Sequence, residues 1–150
     1  MSLNYSLSMN STQSAEDAFQ TVAALPGFAA VAEDVAFGPG VTAYVNAADE
    51  EDKEYALEYE GFEPTLDILL IEDHKGVSDE AATGNIVRAV MALLHHAAGE
   101  AVLRFNAETL LLRLHNGDLT LNSGPQFWEW YPGLLPLVTL PYRLGTISSK

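Results

Sequence analysis

The sequence predicts an α+β fold, in which an antiparallel-rich sheet of about six strands has one long and one short helix packed on it. Several segments alternate apolar and polar residues with the period of two that strands require, and one later segment repeats apolar residues at helical spacing. Asn116-Gly117, between two apolar runs, is a strong signal for a β-hairpin. A length of 150 residues and a hydrophobic content of 48% suit a single globular domain over residues 1–150.

The N-terminal region predicts a strand followed by a short helix. Residues 4–9 alternate, so that their three large side chains share one face of the strand. Ser14 precedes two acidic residues in the pattern of a helix N-cap, which predicts a helix from residue 15 to about residue 25. Residues 29–35 fit either a helical turn or the entry to a strand.

Two more strands and the long helix are expected in the middle of the chain. Residues 41–45 alternate after a glycine- and proline-containing turn at 37–40. Residues 66–71 form a nearly continuous apolar run, which is typical of a strand covered on both faces. Ser78 is a suitable N-cap for a helix predicted from about residue 79 to residue 98, which we expect to pack on the sheet.

A further strand is predicted over residues 54–60. The period of two directs three apolar side chains toward the core and a ladder of glutamates away from it. The four acidic residues before this strand are interpreted as a solvated turn, because adjacent carboxylates repel one another. The apolar side chains are Tyr55, Leu57 and Tyr59, the ladder is Glu54, Glu58 and Glu60, and the turn is Asp49, Glu50, Glu51 and Asp52.

Three strands are predicted after the long helix, over residues 101–106, 109–115 and 118–122. A type I′ loop at Asn116-Gly117 fixes the register of the last two strands. Beyond them, the aromatic-rich tail is predicted to cover one end of the sheet, with a short helix at residues 127–131. The predicted pairs are His115 with Asp118, Leu114 with Leu119, Arg113 with Thr120, and Leu112 with Leu121.

The charge of the chain limits its partners. There are 21 acidic and 7 basic residues, and the formal net charge is −14, of which −11 belongs to residues 49–80. Binding to nucleic acid or to an anionic membrane is therefore not expected, because phosphate contacts require clustered Lys and Arg. The negative field favours a basic partner. The chain has no cysteine, no signal-peptide pattern and no apolar run long enough to span a membrane, so we expect a cytoplasmic protein.

Few residues are candidates for chemistry, and we predict no catalytic residue, metal or cofactor. Glu58 and Glu60 resemble a pair of acid/base carboxylates, but the sequence gives no sign of their burial, so a charged solvent or partner face is the better interpretation. The side chains of His95 and His96 would point about 100° apart on a helix, so they could not both bind one metal ion. Polar histidines at the end of a helix are therefore the better interpretation. Arg104 and Arg113 lie on neighbouring strands, where pairing with a carboxylate is more common than an anion site.

The order of these segments resembles the immunity proteins of the Sit (swarming-inhibition toxin) family, bacterial antidotes to contact-delivered protein toxins. The resemblance covers most of the chain and rests on turns and core segments rather than on a reactive site. One departure is Gly99-Glu100, where the family usually has Gly-Asp. The segments are Leu3–Leu7 (LNYSL), Gly38–Thr42 (GPGVT), Gly61–Thr65 (GFEPT), Val87–Leu94 (VRAVMALL), Gly99–Glu108 (GEAVLRFNAE), Gly117–Asn122 (GDLTLN) and Phe127-Trp128.

The resemblance implies a non-enzymatic protein that binds and neutralises a cognate toxin. Combined with the charge, it predicts a basic toxin and an acidic partner-binding surface. If the toxin is a nuclease, the glutamate ladder is expected to occupy the place of phosphates in its cleft. The predicted partner-binding residues are Glu54, Glu58, Glu60, Asp49, Glu50, Glu51 and Asp52.

Two other functions stay open at the level of sequence. One is a small-molecule-binding or enzymatic α+β domain, which requires a deep pocket with strongly shifted carboxylate pKa values. The other is a structural homo-oligomer that associates through a sheet edge or through Trp128 and Trp130. The sequence does not specify the oligomeric state.

Overall fold

A computed structural model describes residues 3–147, which form one nine-stranded sheet and three α-helices. Two short 3₁₀ helices follow the last hairpin, at Phe127–Glu129 and Leu135–Leu137. The helices are α1 (Ala15–Ala23), α2 (Glu50–Glu60) and α3 (Asp79–Leu94). The strands are β1 (Leu3–Ser11), β2 (Ala29–Ala30), β3 (Val35–Gly38), β4 (Val41–Ala47), β5 (Leu66–Glu72), β6 (Ala97–Phe105), β7 (Thr109–His115), β8 (Asp118–Asn122) and β9 (Tyr142–Gly145).

The sheet has the order β2-β3-β4-β5-β1-β6-β7-β8-β9. Every neighbouring pair is antiparallel except β8 and β9, so the prediction of an antiparallel-rich α+β fold is confirmed. The predicted number of about six strands is too small, and the structure has three α-helices where one long and one short helix were predicted. The unpredicted β2, β3 and β9 have two to four residues and lie at the edges of the sheet, where few side chains are buried and the alternation is weak.

Local signals placed several elements correctly. Asn116 and Gly117 have φ values of 51° and 82°, as a type I′ loop requires, and all four predicted pairs of the β7–β8 hairpin are present. The hydroxyl groups of Ser14 and Ser78 accept hydrogen bonds at the N-termini of α1 and α3. The long helix ends at Leu94 rather than near residue 98, because β6 begins at Ala97 and pairs with β1.

The main core lies between one face of the sheet and helices α1 and α3. It includes the large side chains of β1 that were predicted to share one face, and alternate side chains of β4. The aromatic segment after β8 covers this core as expected, since Trp128 is buried and donates its indole N–H to the carbonyl oxygen of Leu111 at 2.9 Å. The buried strand residues include Tyr5, Leu7, Met9, Val41, Ala43, Val45, Leu66, Ile68 and Leu70.

The predicted strand over residues 54–60 is wrong, because this segment belongs to helix α2. Asp49 and Asp52 form a reciprocal capping box, so the predicted solvated turn at residues 49–52 is also wrong. Gly61, at φ 82°, ends the helix in the left-handed conformation. Glu, Lys, Ala and Leu between these two signals favour a helix, and this propensity outweighs the alternating pattern. The side chains predicted to face the core are exposed: Tyr55 by 53%, Leu57 by 55% and Tyr59 by 41%.

Candidate functional site

Helix α2 lies on the sheet face opposite α1 and α3. Ser6, Ser8 and Arg104 point from β1 and β6 toward this side, and Ala56 is the one buried residue of the helix. Just beyond the helix, Phe62 packs in a small second core with Val102 and Leu110. The helix therefore rests on the sheet through a narrow contact, and most of its surface faces solvent.

Glu60 fastens the C-terminal end of α2 to the sheet. Its carboxylate pairs with the guanidinium groups of Arg104 and Arg113, the latter at 2.7 Å, and only 4% of the Glu60 side chain is exposed. Arg113 also donates to the Glu60 carbonyl oxygen at 3.2 Å. The expectation that the two arginines pair with a carboxylate is confirmed. Glu60 was predicted to belong to an exposed ladder, and that part of the prediction is wrong.

The remaining predicted partner-binding residues lie on α2 and at its N-terminus. Residues four apart on a helix share a face, so Glu50, Glu54 and Glu58 form one row along the outer surface. Glu51, Tyr55 and Tyr59 form the adjacent row by the same spacing. All six side chains are exposed. The structure thus keeps Glu54 and Glu58 together and separates them from Glu60, and it places Asp49 and Asp52 at the capping box.

The two tyrosines of the second row contact each other. The ring centroids of Tyr55 and Tyr59 are 4.6 Å apart, with an angle of 42° between the ring planes. The pair is an exposed aromatic surface directly beside the glutamate row. Among the side chains described, the basic partner of these rows is Lys53, whose Nζ lies 3.8 Å from Glu50.

A cavity of about 220 Å³ separates α2 from the sheet, and Asp67 of β5 lines it. Burial, together with the charges of Asp52 and Asp49, raises the pKa of Asp67 from 3.8 to about 6. The other lining residues are Ser6, Ser8, Asp52, Tyr55, Ala56, Glu60, Val102, Arg104 and Ala107.

A second polar cluster lies at the other end of β5, away from α2. The buried carboxylate of Glu72 accepts hydrogen bonds from the hydroxyl groups of Tyr5 at 3.1 Å and Thr83 at 3.0 Å, and it also contacts His74. His74 Nδ1 lies 2.8 Å from a carboxylate oxygen of Asp79. The hydrogen bond to Glu72 and the surrounding carboxylates raise the pKa of His74. This cluster connects β1, β5 and α3.

The other candidate residues have ordinary surroundings. His95 caps the end of α3 and contacts the hydroxyl group of Thr139 at 2.7 Å, which agrees with the expected helix-end histidine. His96 is exposed beside it. Trp130 is 45% exposed and packs edge-on against Phe105. Between residues 3 and 147, no helix is long and apolar enough to cross a bilayer.

Sequence reasoning missed the role of Asp67 and the helical geometry of the acidic segment. Asp67 interrupts an apolar run, and such an interruption is itself a signal, because a carboxylate in a strand with both faces covered requires a special environment. The capping pair Asp49 and Asp52, with Gly61 after eleven helical residues, was the signal for α2.

A comparison with known protein families identifies a match over most of the chain. A family model described as SitI3-like matches residues 3–132 of the 150. No curated protein and no solved structure matches the chain. The matched segment extends from β1 through the first 3₁₀ helix and includes α2 with the arginines that hold it. The chain therefore belongs to the SitI3-like family.

Proposed function

We propose that this protein is an immunity protein that binds one cognate, contact-delivered protein toxin and neutralises it by binding rather than by catalysis. Membership of the SitI3-like family supports an immunity-type role. The observation that carries the proposal is the outer face of α2, a helix with a single buried residue that presents glutamates and tyrosines to solvent.

The electrostatics of α2 support a basic toxin as the partner. Like charges four residues apart destabilise a helix by a few tenths of a kcal/mol per pair, and Glu50, Glu54 and Glu58 form two such pairs. A cationic surface placed against this row offsets the repulsion. It also accelerates association, since long-range attraction between opposite charges raises the rate of encounter.

The surface proposed here differs from a ladder on a strand. Glu60 is neutralised by two arginines, so it positions the helix and does not contact the toxin. Asp49 and Asp52 cap the helix, and Asp67 adds a third carboxylate near its N-terminus. The toxin-facing carboxylates are therefore those of Glu50, Glu51, Glu54 and Glu58.

Co-expression tests the proposal. A candidate toxin encoded beside the gene is expressed in a sensitive strain, alone and with this protein, and growth and complex formation are measured. We expect the wild-type protein to restore growth and the double variant E54K/E58K to fail. The matched control E16K/E33K, which changes two exposed glutamates away from α2, is expected to protect. A wild-type protein that neither protects nor binds overturns the proposal.

A further inference from the structure

The tyrosine pair on α2 is only partly covered by the rest of residues 3–147, although Tyr55 also lines the cavity beneath the helix. Tyr55 and Tyr59 are 53% and 41% exposed, so two neighbouring aromatic rings present apolar surface to solvent. Their ring centroids lie 4.6 Å apart, and the ring planes are tilted by 42°. The helix is fixed instead by the capping box, by Gly61 and by the Glu60 pair with two arginines. The exposed parts of both rings are therefore accessible to a partner.

The carboxylates next to the tyrosines indicate what kind of side chain this surface would bind. Glu51 continues the tyrosine row toward the helix N-terminus, and Glu54 and Glu58 lie in the adjacent row, all exposed. A cation over an aromatic ring is attracted by the ring electrons, and a guanidinium stacks on a ring while it donates paired hydrogen bonds to a carboxylate. A lysine ammonium is a compact, strongly hydrated charge and makes neither the planar stack nor the paired bonds.

We infer that the outer face of α2 is a docking surface for arginine side chains of the partner protein, with Tyr55 and Tyr59 as the stacking platform and Glu51, Glu54 and Glu58 as the carboxylate acceptors. This inference rests on the proposed function and specifies the chemistry of the partner. Charge complementarity supports this inference. Among residues 3–147, the basic side chain paired with these rows is Lys53, which contacts Glu50, so the negative charges of Glu51, Glu54 and Glu58 favour a cationic partner. The surface is a helix face that the rest of the described chain leaves uncovered.

Two synthetic peptides provide the direct test. They have the same length and alternate alanine with arginine in one case and alanine with lysine in the other, and their binding is measured by calorimetry at low salt. We expect the wild-type protein to bind the arginine peptide about tenfold more tightly than the lysine peptide, as one or two stacked guanidinium groups provide. Equal affinities, or no binding of the arginine peptide, overturn the inference.

Substitutions separate stacking from charge. The variant Y55L/Y59L keeps apolar side chains and all carboxylates, and it is expected to lose the preference for arginine. The variant Y55F/Y59F keeps the aromatic rings and is expected to retain it. Both positions are exposed, so neither change removes a core contact, and far-UV circular dichroism checks the helix. A leucine variant that keeps the tenfold preference contradicts the inference.

The toxin itself distinguishes failure of this inference from failure of the proposed function. If Y55L/Y59L protects cells and binds the toxin as tightly as wild type, arginine stacking is refuted while the proposed immunity role stands. If the wild-type protein does not protect at all, the immunity role is refuted whatever the peptides show. We expect protection by wild type and a toxin affinity about tenfold weaker for the leucine variant.

Discussion

Replacing Asp67 with Asn is expected to stabilise the protein at neutral pH. The Asp67 carboxylate lies in the cavity beneath α2 with Asp52 and Asp49 nearby, and its pKa is raised from 3.8 to about 6. The folded state therefore holds the Asp67 proton more tightly than the unfolded chain does. The contribution of Asp67 to the free energy of unfolding is therefore fully present below pH 3.8 and is lost as the pH rises through about 6. Asn carries no charge, so the variant removes the cost of placing a carboxylate in this buried and acidic environment.

The expected gain in stability of D67N follows from the pKa shift of Asp67. A difference of about two pKa units corresponds to at most about 3 kcal/mol, and partial exposure of the side chain reduces this to about 2 kcal/mol. Urea unfolding of wild type and D67N is compared at pH 7.5 and pH 5. The gain in free energy of unfolding is expected to fall to about half at the lower pH, where the folded Asp67 is mostly protonated.

The control variant is Glu63→Gln, which removes the same charge from an exposed position and is expected to change stability by less than about 0.5 kcal/mol. A D67N protein that is less stable than wild type at pH 7.5 refutes the reasoning. So does a gain that is identical at both pH values, since the effect would then not come from ionisation of Asp67.

Two further predictions concern the attachments of α2 and of α3. Glu60→Gln is expected to destabilise the protein by about 3 kcal/mol, because Arg104 and Arg113 lose the charge that neutralises them. The control Glu58→Gln, two residues away on the exposed side, is expected to change the free energy of unfolding in urea by less than about 0.5 kcal/mol. Similar losses from both variants contradict the division of the acidic residues into an anchoring and an outward set. His74, whose pKa is raised chiefly by its hydrogen bond to Glu72, contributes stability that is present below pH 6.5 and is lost as the pH rises through the higher pKa of the folded state. Thermal unfolding of His74→Gln should lack this pH dependence, and a variant that follows wild type over that range contradicts the role of His74.

The elements predicted correctly depend on contacts close in sequence. The β7–β8 register follows from Asn116-Gly117, because a two-residue loop leaves no freedom in how the strands pair. Helices α1 and α3 follow from serine caps and apolar spacing. The position of β1 between β5 and β6 depends on pairings about 60 and 100 residues apart, which no local signal encodes.

The error at α2 has a specific cause. Tyr55 and Tyr59 are four residues apart, a spacing that satisfies both a strand with period two and one face of a helix. Leu57 between them completed the alternating pattern of a strand with one buried face. In the structure Leu57 is exposed, so the pattern does not mark a buried face. The acidic composition of the candidate site was therefore predictable. The structure was needed to show that Glu60 is held on the sheet, whereas Glu54 and Glu58 face solvent.

The outer glutamates of α2 are expected to attract and contact a basic toxin. Stopped-flow association of the toxin with wild type, E54Q/E58Q and the control E16Q/E33Q, at about 20 mM and about 200 mM salt, tests it most directly. We predict that wild type and control associate rapidly at low salt and lose most of this rate at high salt. E54Q/E58Q is predicted to associate several-fold more slowly at low salt, with a shallower salt dependence. Identical rates and identical salt dependence for all three proteins would contradict the account.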